Sequence, residues 1–145
     1  NKELLAIIGH EMGHYKKKHI YKSMFVSIIS TGLMLFIFSQ FINNPHLFAA
    51  FKMQDLSIYC SLVFFGFLYS PIEIILGIFS NLLSRKYEYQ ADEFAAETLK
   101  EKEPMILALK KLSVENLSNL TPHKLKVFLE YSHPPVLQRI KALSK

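Results

Sequence analysis

The sequence predicts an all-α protein: an integral-membrane helical bundle fragment with two transmembrane helices and a soluble helical region. Three observations carry that prediction. Two long apolar runs, residues 24–42 and 56–80, stand apart from a charged final third. Basic residues crowd the outer ends of both runs and are sparse in the loop between them. No stretch keeps the two-residue alternation of a half-buried strand, and no internal repeat or low-complexity tract breaks the helical pattern.

Each element follows in order. Residues 1–23 form a helix that is apolar over much of its surface, through Leu4, Leu5, Ile7, Ile8 and Met12, and that carries His10, Glu11 and His14. Residues 24–42 hold no charge and match the roughly 20 residues that a helix needs to cross a bilayer. A buried helix of a soluble protein is the alternative, but two such helices are unusual in a chain of 145 residues. Residues 43–55 connect them, and residues 56–80 form the second span, with Pro71 and one charge, Glu73. An intramembrane carboxylate is expected to face a bundle interior or a water-filled cavity, or to pair with another helix. Residues 81–145 are helical: one helix from about Arg85 to Leu99, and a second opening with Pro104 and carrying Ile106, Leu109 and Leu112 on one side. Thr121-Pro122 reads as the N-cap and first turn of a short third helix. Ser132 and two prolines then precede a last helix with Val136, Ile140 and Leu143 on a shared face.

The net charge of +5 is no nucleic-acid signature, because of where it sits. Lys16, Lys17, Lys18 and Lys22 precede the first span and Arg85 and Lys86 follow the second, whereas the connecting loop has Lys52 alone. The positive-inside rule places both flanks in the cytoplasm. Cys60, the one cysteine, lies in the second span, so no intrachain disulfide forms. The first apolar run does not read as a secretory signal, being too long and not N-terminal. The chain opens inside an apparent helix at Asn1 and reads as part of a longer protein, whose preceding helices it is expected to need.

His10-Glu11-Met12-Gly13-His14 is H-E-x-x-H. Four residues turn a helix through about 400°, so both imidazoles leave one face a turn apart and can share one zinc ion. Glu11, on the same turn, reaches the ion's open position and can act as general base. Two solvated histidines at a helix end are the bland alternative. The third ligand separates families. A second motif with glycine at 17 and histidine at 20 is missing, since Lys17 and Ile20 stand there. His19 lies about 140° around a continuous helix from His14 and is expected to be solvated or hydrogen-bonded instead of ligating. Glu88 and Asp92 form an E-x-x-x-D pair directly after the second span. Alone they are an ordinary acidic helix face. With H-E-x-x-H delivered to the same side by a membrane hairpin, Glu88 can complete a His₂Glu site and Asp92 can fix a ligand histidine's tautomer.

Three segments, "GHEMGHYKKKH", "SRKYEYQADEFA" and "YSHPPVLQRIKAL", in that order around two apolar runs, closely resemble the C-terminal catalytic portion of the CAAX prenyl endopeptidases. The resemblance covers essentially the whole chain. It implies an all-helical, multi-span zinc metalloprotease of the endoplasmic reticulum membrane, enclosing a large intramembrane chamber with the zinc site on its inner wall. Such enzymes remove the last three residues after a prenylated cysteine. Carried over, the resemblance makes His10, His14 and Glu88 ligands of one Zn²⁺, Glu11 the catalytic glutamate and Asp92 the aspartate that supports the ligands. It also makes His133 and Arg139 residues that bind substrate or the developing oxyanion. The implied partners are a prenylated CAAX peptide or protein and the lipid bilayer, with no nucleic acid. The HtpX-type membrane quality-control proteases share the zinc motifs and are the alternative. A catalytically silent scaffold with structural zinc is a third reading, which the intact Glu11 disfavours.

Overall fold

The computed structural model describes residues 2–42, 44–54 and 57–145. Among these residues there are seven helices and no strand: α1 (Lys2–Lys16), α2 (His19–Phe41), α3 (Pro45–Ala50), α4 (Ile58–Leu99), α5 (Glu103–Glu115), α6 (Lys124–Glu130) and α7 (Val136–Leu143). The expected start of the second span, Leu56, and the loop residues Asn43 and Asp55 lie outside the described residues. Two helices, α2 and α4, are long and apolar enough to cross a membrane by length and composition.

Several boundaries differ from the expected ones, each for a local reason. The helix assigned to residues 1–23 stops at Lys16, and α2 opens at His19. Lys18 takes the left-handed conformation, φ 57°, which no continuous α-helix accommodates. At the other end, α4 runs unbroken from Ile58 to Leu99, joining the second span to the helix expected at 85–99. Between Ser80 and Asp92 the stretch has no glycine and no proline to break it. The short helix expected to open at Thr121-Pro122 is α6, beginning at Lys124. Its N-cap is His123, whose Nδ1 accepts from the Leu125 backbone N–H at 3.2 Å. Thr121 belongs to the preceding turn, where its N–H donates to Asn119 Oδ1 at 3.0 Å.

The chain divides into two units, one of residues Asn1–Ser23 and Gly77–Lys145 and the other of residues Met24–Leu76. The second unit holds most of α2, all of α3 and the first part of α4. Its helices meet through aromatic rings: Phe51 stacks on Phe64 at 3.9 Å and Phe48 meets the same ring edge-on, while Phe65 touches Phe38, Phe41 and Tyr69. Pro45 and the Asn44 side chain, which accepts from the His46 N–H, start α3. Hydroxyls turn back onto their own helix, Ser39 onto the Phe36 carbonyl and Ser70 onto that of Phe67, so they leave no polar group unpaired in apolar surroundings. Phe25, Ile28, Phe36, Phe67 and Ile74 face outward. An apolar surface of that extent belongs against lipid or another helix. Glu73 is also exposed.

The first unit has a small core built from Ala6, Ala95, Ala96, Met105, Ile106, Leu109 and Leu143, with Leu99, Val136 and Ile140 packed on it. It joins α1 to α4, α5 and α7. Its α1–α4 seam is made of small residues. A Cβ on Gly9 would lie 3.3 Å from Ala95 Cα, and one on Gly13 would lie 3.0 Å from Ala91 Cα and 3.2 Å from the Ala91 carbonyl oxygen. The two backbones therefore approach as closely as glycine permits. At the surface, Lys2 pairs with Glu101 and Lys111 with Glu3. Arg85 Nη1 donates to the Val127 carbonyl at 2.9 Å and to that of Tyr131, which fastens α6 to α4.

Candidate metal centre

The glycine seam brings the polar faces of α1 and α4 together. His10 and His14 project from one side of α1, as the i, i+4 spacing requires, and Glu88 comes from α4 opposite them. The His10 and His14 Nε2 atoms are 3.1 Å apart. Glu88 Oε2 lies 3.6 Å from His10 Nε2, and Glu88 Oε1 lies 3.4 Å from His14 Nε2. In a tetrahedral site with bonds of about 2.0–2.1 Å, ligand atoms are about 3.3–3.4 Å apart. The observed separations bracket that spacing, although the two histidines face different Glu88 oxygens. The three residues form a group able to hold a metal.

Around this triad the remaining groups are buried and paired. Asp92, only 2% exposed, sits one turn beyond Glu88. Its Oδ1 lies 2.9 Å from His10 Nδ1, in a poorly aligned contact that leaves Nδ1 without a well-formed hydrogen bond. Arg139, from α7, is buried too: its Nε and Nη2 donate to the two Asp92 oxygens at 2.8 and 2.6 Å, and its Nη1 lies 3.0 Å from Glu88 Oε2. One guanidinium thus faces two buried carboxylates, which leaves negative charge that a metal cation offsets. Burial alone would raise the Asp92 carboxyl, but the hydrogen bonds from Arg139 and the close approach of His10 hold it below its ordinary value. Burial, then the neighbouring His10, lowers His14, which favours the neutral imidazole that a metal requires. For Arg139, hydrogen bonding to Asp92 outweighs burial and raises the guanidinium.

All seven residues singled out in the sequence fall in one unit. The structure gathers His10, His14, Glu88, Asp92 and Arg139 by direct contact, and it sets His133 Nδ1 3.1 Å from Glu88 Oε1, with the rest of that ring 66% exposed. Glu11 is exposed on α1 next to His10. Arg139 reaches the site with Nε and Nη2 bonded to Asp92 and Nη1 3.0 Å from Glu88. His19 is not solvated: it is 2% exposed and bonded within the site unit, and it stands outside the three-residue metal group. Gln90 and Tyr87, which touch it, gave no sequence signal of their own. The hint was the Lys16-Lys17-Lys18 run, where α1 ends and the angle computed for a continuous helix stops applying.

Comparison with known proteins follows the same lines. The sequence matches peptidase family M48 over residues 1–145. It is 39% identical over 145 residues to the human CAAX prenyl protease 1 homolog, covering 99% of this chain and 30% of that protein. It is 38% identical over 148 residues to the Dictyostelium discoideum CAAX prenyl protease 1 homolog, covering 99% of this chain and 33% of that one. Among solved structures it is similar to the crystal structure of S. mikatae Ste24p, with a TM-score of 0.83 and 30% identity over 97% of this chain and 35% of that chain. The chain thus spans about a third of the length of these relatives. The match along its whole length, together with the His₂Glu geometry, shows that the chain belongs to peptidase family M48.

Proposed function

We propose that this chain is the catalytic portion of a zinc metalloendopeptidase that removes the C-terminal tripeptide from prenylated CAAX proteins at a membrane. The observation that carries the reading is the triad of His10, His14 and Glu88, whose donor atoms are spaced for one tetrahedral ion. Two imidazoles and one carboxylate are the donor set of catalytic zinc sites that keep a fourth position open. When bound, zinc would supply Lewis acidity, activating water and polarising the scissile carbonyl. The names of the human and Dictyostelium discoideum relatives support the substrate class.

The chain's own residues divide the remaining work. Glu11, exposed beside His10, takes the proton of the attacking water and returns it to the leaving amine. His133, whose Nδ1 lies 3.1 Å from Glu88 Oε1, binds substrate or the developing oxyanion. Asp92 orients His10, and Arg139 keeps Glu88 and Asp92 aligned. The apolar parts of α2 and α4 cross the bilayer, residues 43–55 connect them, and residues 1–23 and 81–145 stand on the cytoplasmic side of the endoplasmic reticulum membrane. That placement explains why a polar site borders apolar helices: a prenyl chain partitions into lipid, and a site at the interface meets its peptide end there.

The test uses the full-length protein in liposomes with paired CAAX peptides, farnesylated and not. Tripeptide release should depend on the prenyl group, stop with a zinc chelator, and fall about 10²- to 10⁴-fold in Glu11→Gln with zinc still bound. Equal cleavage of both peptides would overturn the prenyl substrate and leave a general membrane protease. No cleavage with zinc fully bound would overturn the enzyme reading.

A further inference from the structure

We propose that His19 and Gln90 form a neutral support for the second ligand histidine, fixing His14 with its proton on Nδ1 and its Nε2 lone pair turned to the metal. The inference rests on the metal reading above and adds residues to it.

The geometry is a chain of three contacts. His14 Nδ1 lies 3.2 Å from His19 Nδ1, and His19 Nε2 lies 3.0 Å from Gln90 Oε1. Only one proton arrangement satisfies it. His14 Nε2 is 3.1 Å from His10 Nε2 and 3.4 Å from Glu88 Oε1, at the metal position, so it must keep its lone pair. The His14 proton is then on Nδ1 and needs an acceptor. His19 Nδ1 can accept only if its own proton is on Nε2, and the amide oxygen of Gln90 receives that proton.

The His19 ring is shielded from solvent. His19 is 2% exposed, and Tyr87 stacks flat on its ring at 4.2 Å and 10°. The left-handed Lys18 ends α1 and swings His19 back onto His14, where a continuous helix would have carried it about 140° away. Gln90 lies between Glu88 and Asp92 on α4, so little more than one helical turn supplies a ligand and a support for each histidine. The supports differ in kind: a carboxylate, Asp92, stands behind His10, and a neutral imidazole–amide pair stands behind His14.

The experiment measures Zn²⁺ affinity of the full-length detergent-solubilised protein by competition with a chromophoric chelator, alongside the visible spectrum of the Co²⁺ form. Gln90→Leu removes the terminal acceptor and Gln90→Glu keeps one. His19→Phe keeps the ring on Tyr87 and removes both nitrogens. Loss of such a supporting contact weakens metal binding by about 10- to 100-fold. That loss is expected in Gln90→Leu and His19→Phe, with an altered Co²⁺ spectrum and near-wild-type affinity in Gln90→Glu. Wild-type affinity and spectrum in Gln90→Leu would overturn the support and leave the metal site standing. Equal losses in Gln90→Leu and Gln90→Glu would also overturn it, since packing would then be the cause. If the wild-type protein binds no zinc, the support falls together with the metal reading.

Discussion

In residues 24–76 the large side chains face outward and the helices meet through stacked rings; in the site unit the smallest residues face inward and polar groups are sealed behind them. Both units are helical, yet they tolerate change differently. Where aromatic rings set the spacing, a helix surface has room. Where Gly9 and Gly13 set it, a single methyl group would press tightly on backbone. The lesson is that the metal geometry depends on an absence of side chains as much as on the ligands: Glu88 is within 3.6 Å of both imidazoles because nothing separates α1 from α4.

The harshest way to break that contrast is to unpair the sealed charges. Arg139→Met leaves Glu88 and Asp92 buried without their cation, and denaturant unfolding of the metal-free protein should show a loss of about 3–5 kcal/mol. Adding Asp92→Asn to Arg139→Met should restore part of it, because one stranded charge is then gone.

The glycines sharpen the same comparison more finely. Gly13→Ala places a Cβ 3.0 Å from Ala91 Cα and should cost about 1–3 kcal/mol, with weaker zinc binding measured by chelator competition. Gly32→Ala has nothing within 4 Å of the added Cβ, and it should be neutral or should stabilise by up to about 1 kcal/mol, the helix propensity difference. Equal costs at both positions would contradict the seam.

The pH dependence is smaller and graded. His14 is held below its ordinary 6.5, so the unfolded chain takes up a proton that the folded site resists. Stability of the metal-free protein is therefore flat above about pH 6.5 and declines below it. Asp92 is held below its ordinary 3.8, so its stabilisation is complete above that value and is lost as pH falls through the lower folded value. Denaturant midpoints at stepped pH should show both declines, and Asp92→Asn should remove the second.

The smallest effect belongs to the surface. Lys2→Ala breaks the exposed pair with Glu101 and should change stability by less than about 1 kcal/mol, fading further in high salt.

Much of this was legible in the residues alone. The H-E-x-x-H and E-x-x-x-D spacings place their side chains on single faces of α1 and α4, because i and i+4 meet in any α-helix. The apolar runs marked the two long helices by composition. Pro104 near the start of α5 and the prolines ahead of α7 marked those helix starts. Less visible were the continuity of α4 across residue 80 and the start of α6 at Lys124, where the cap fell to His123.

Sequence by itself therefore determined what lies within one helix: its periodicity, its apolar length and which ligands share a face. Tertiary structure alone decided what passes between helices. It set the approach of α1 to α4 at Gly13, committed Arg139 to two carboxylates, and returned His19 to His14 through one left-handed lysine. The physical reason is that intrahelical geometry is local and repeats every turn. Distances between helices depend instead on which side chains are small enough to let two backbones meet.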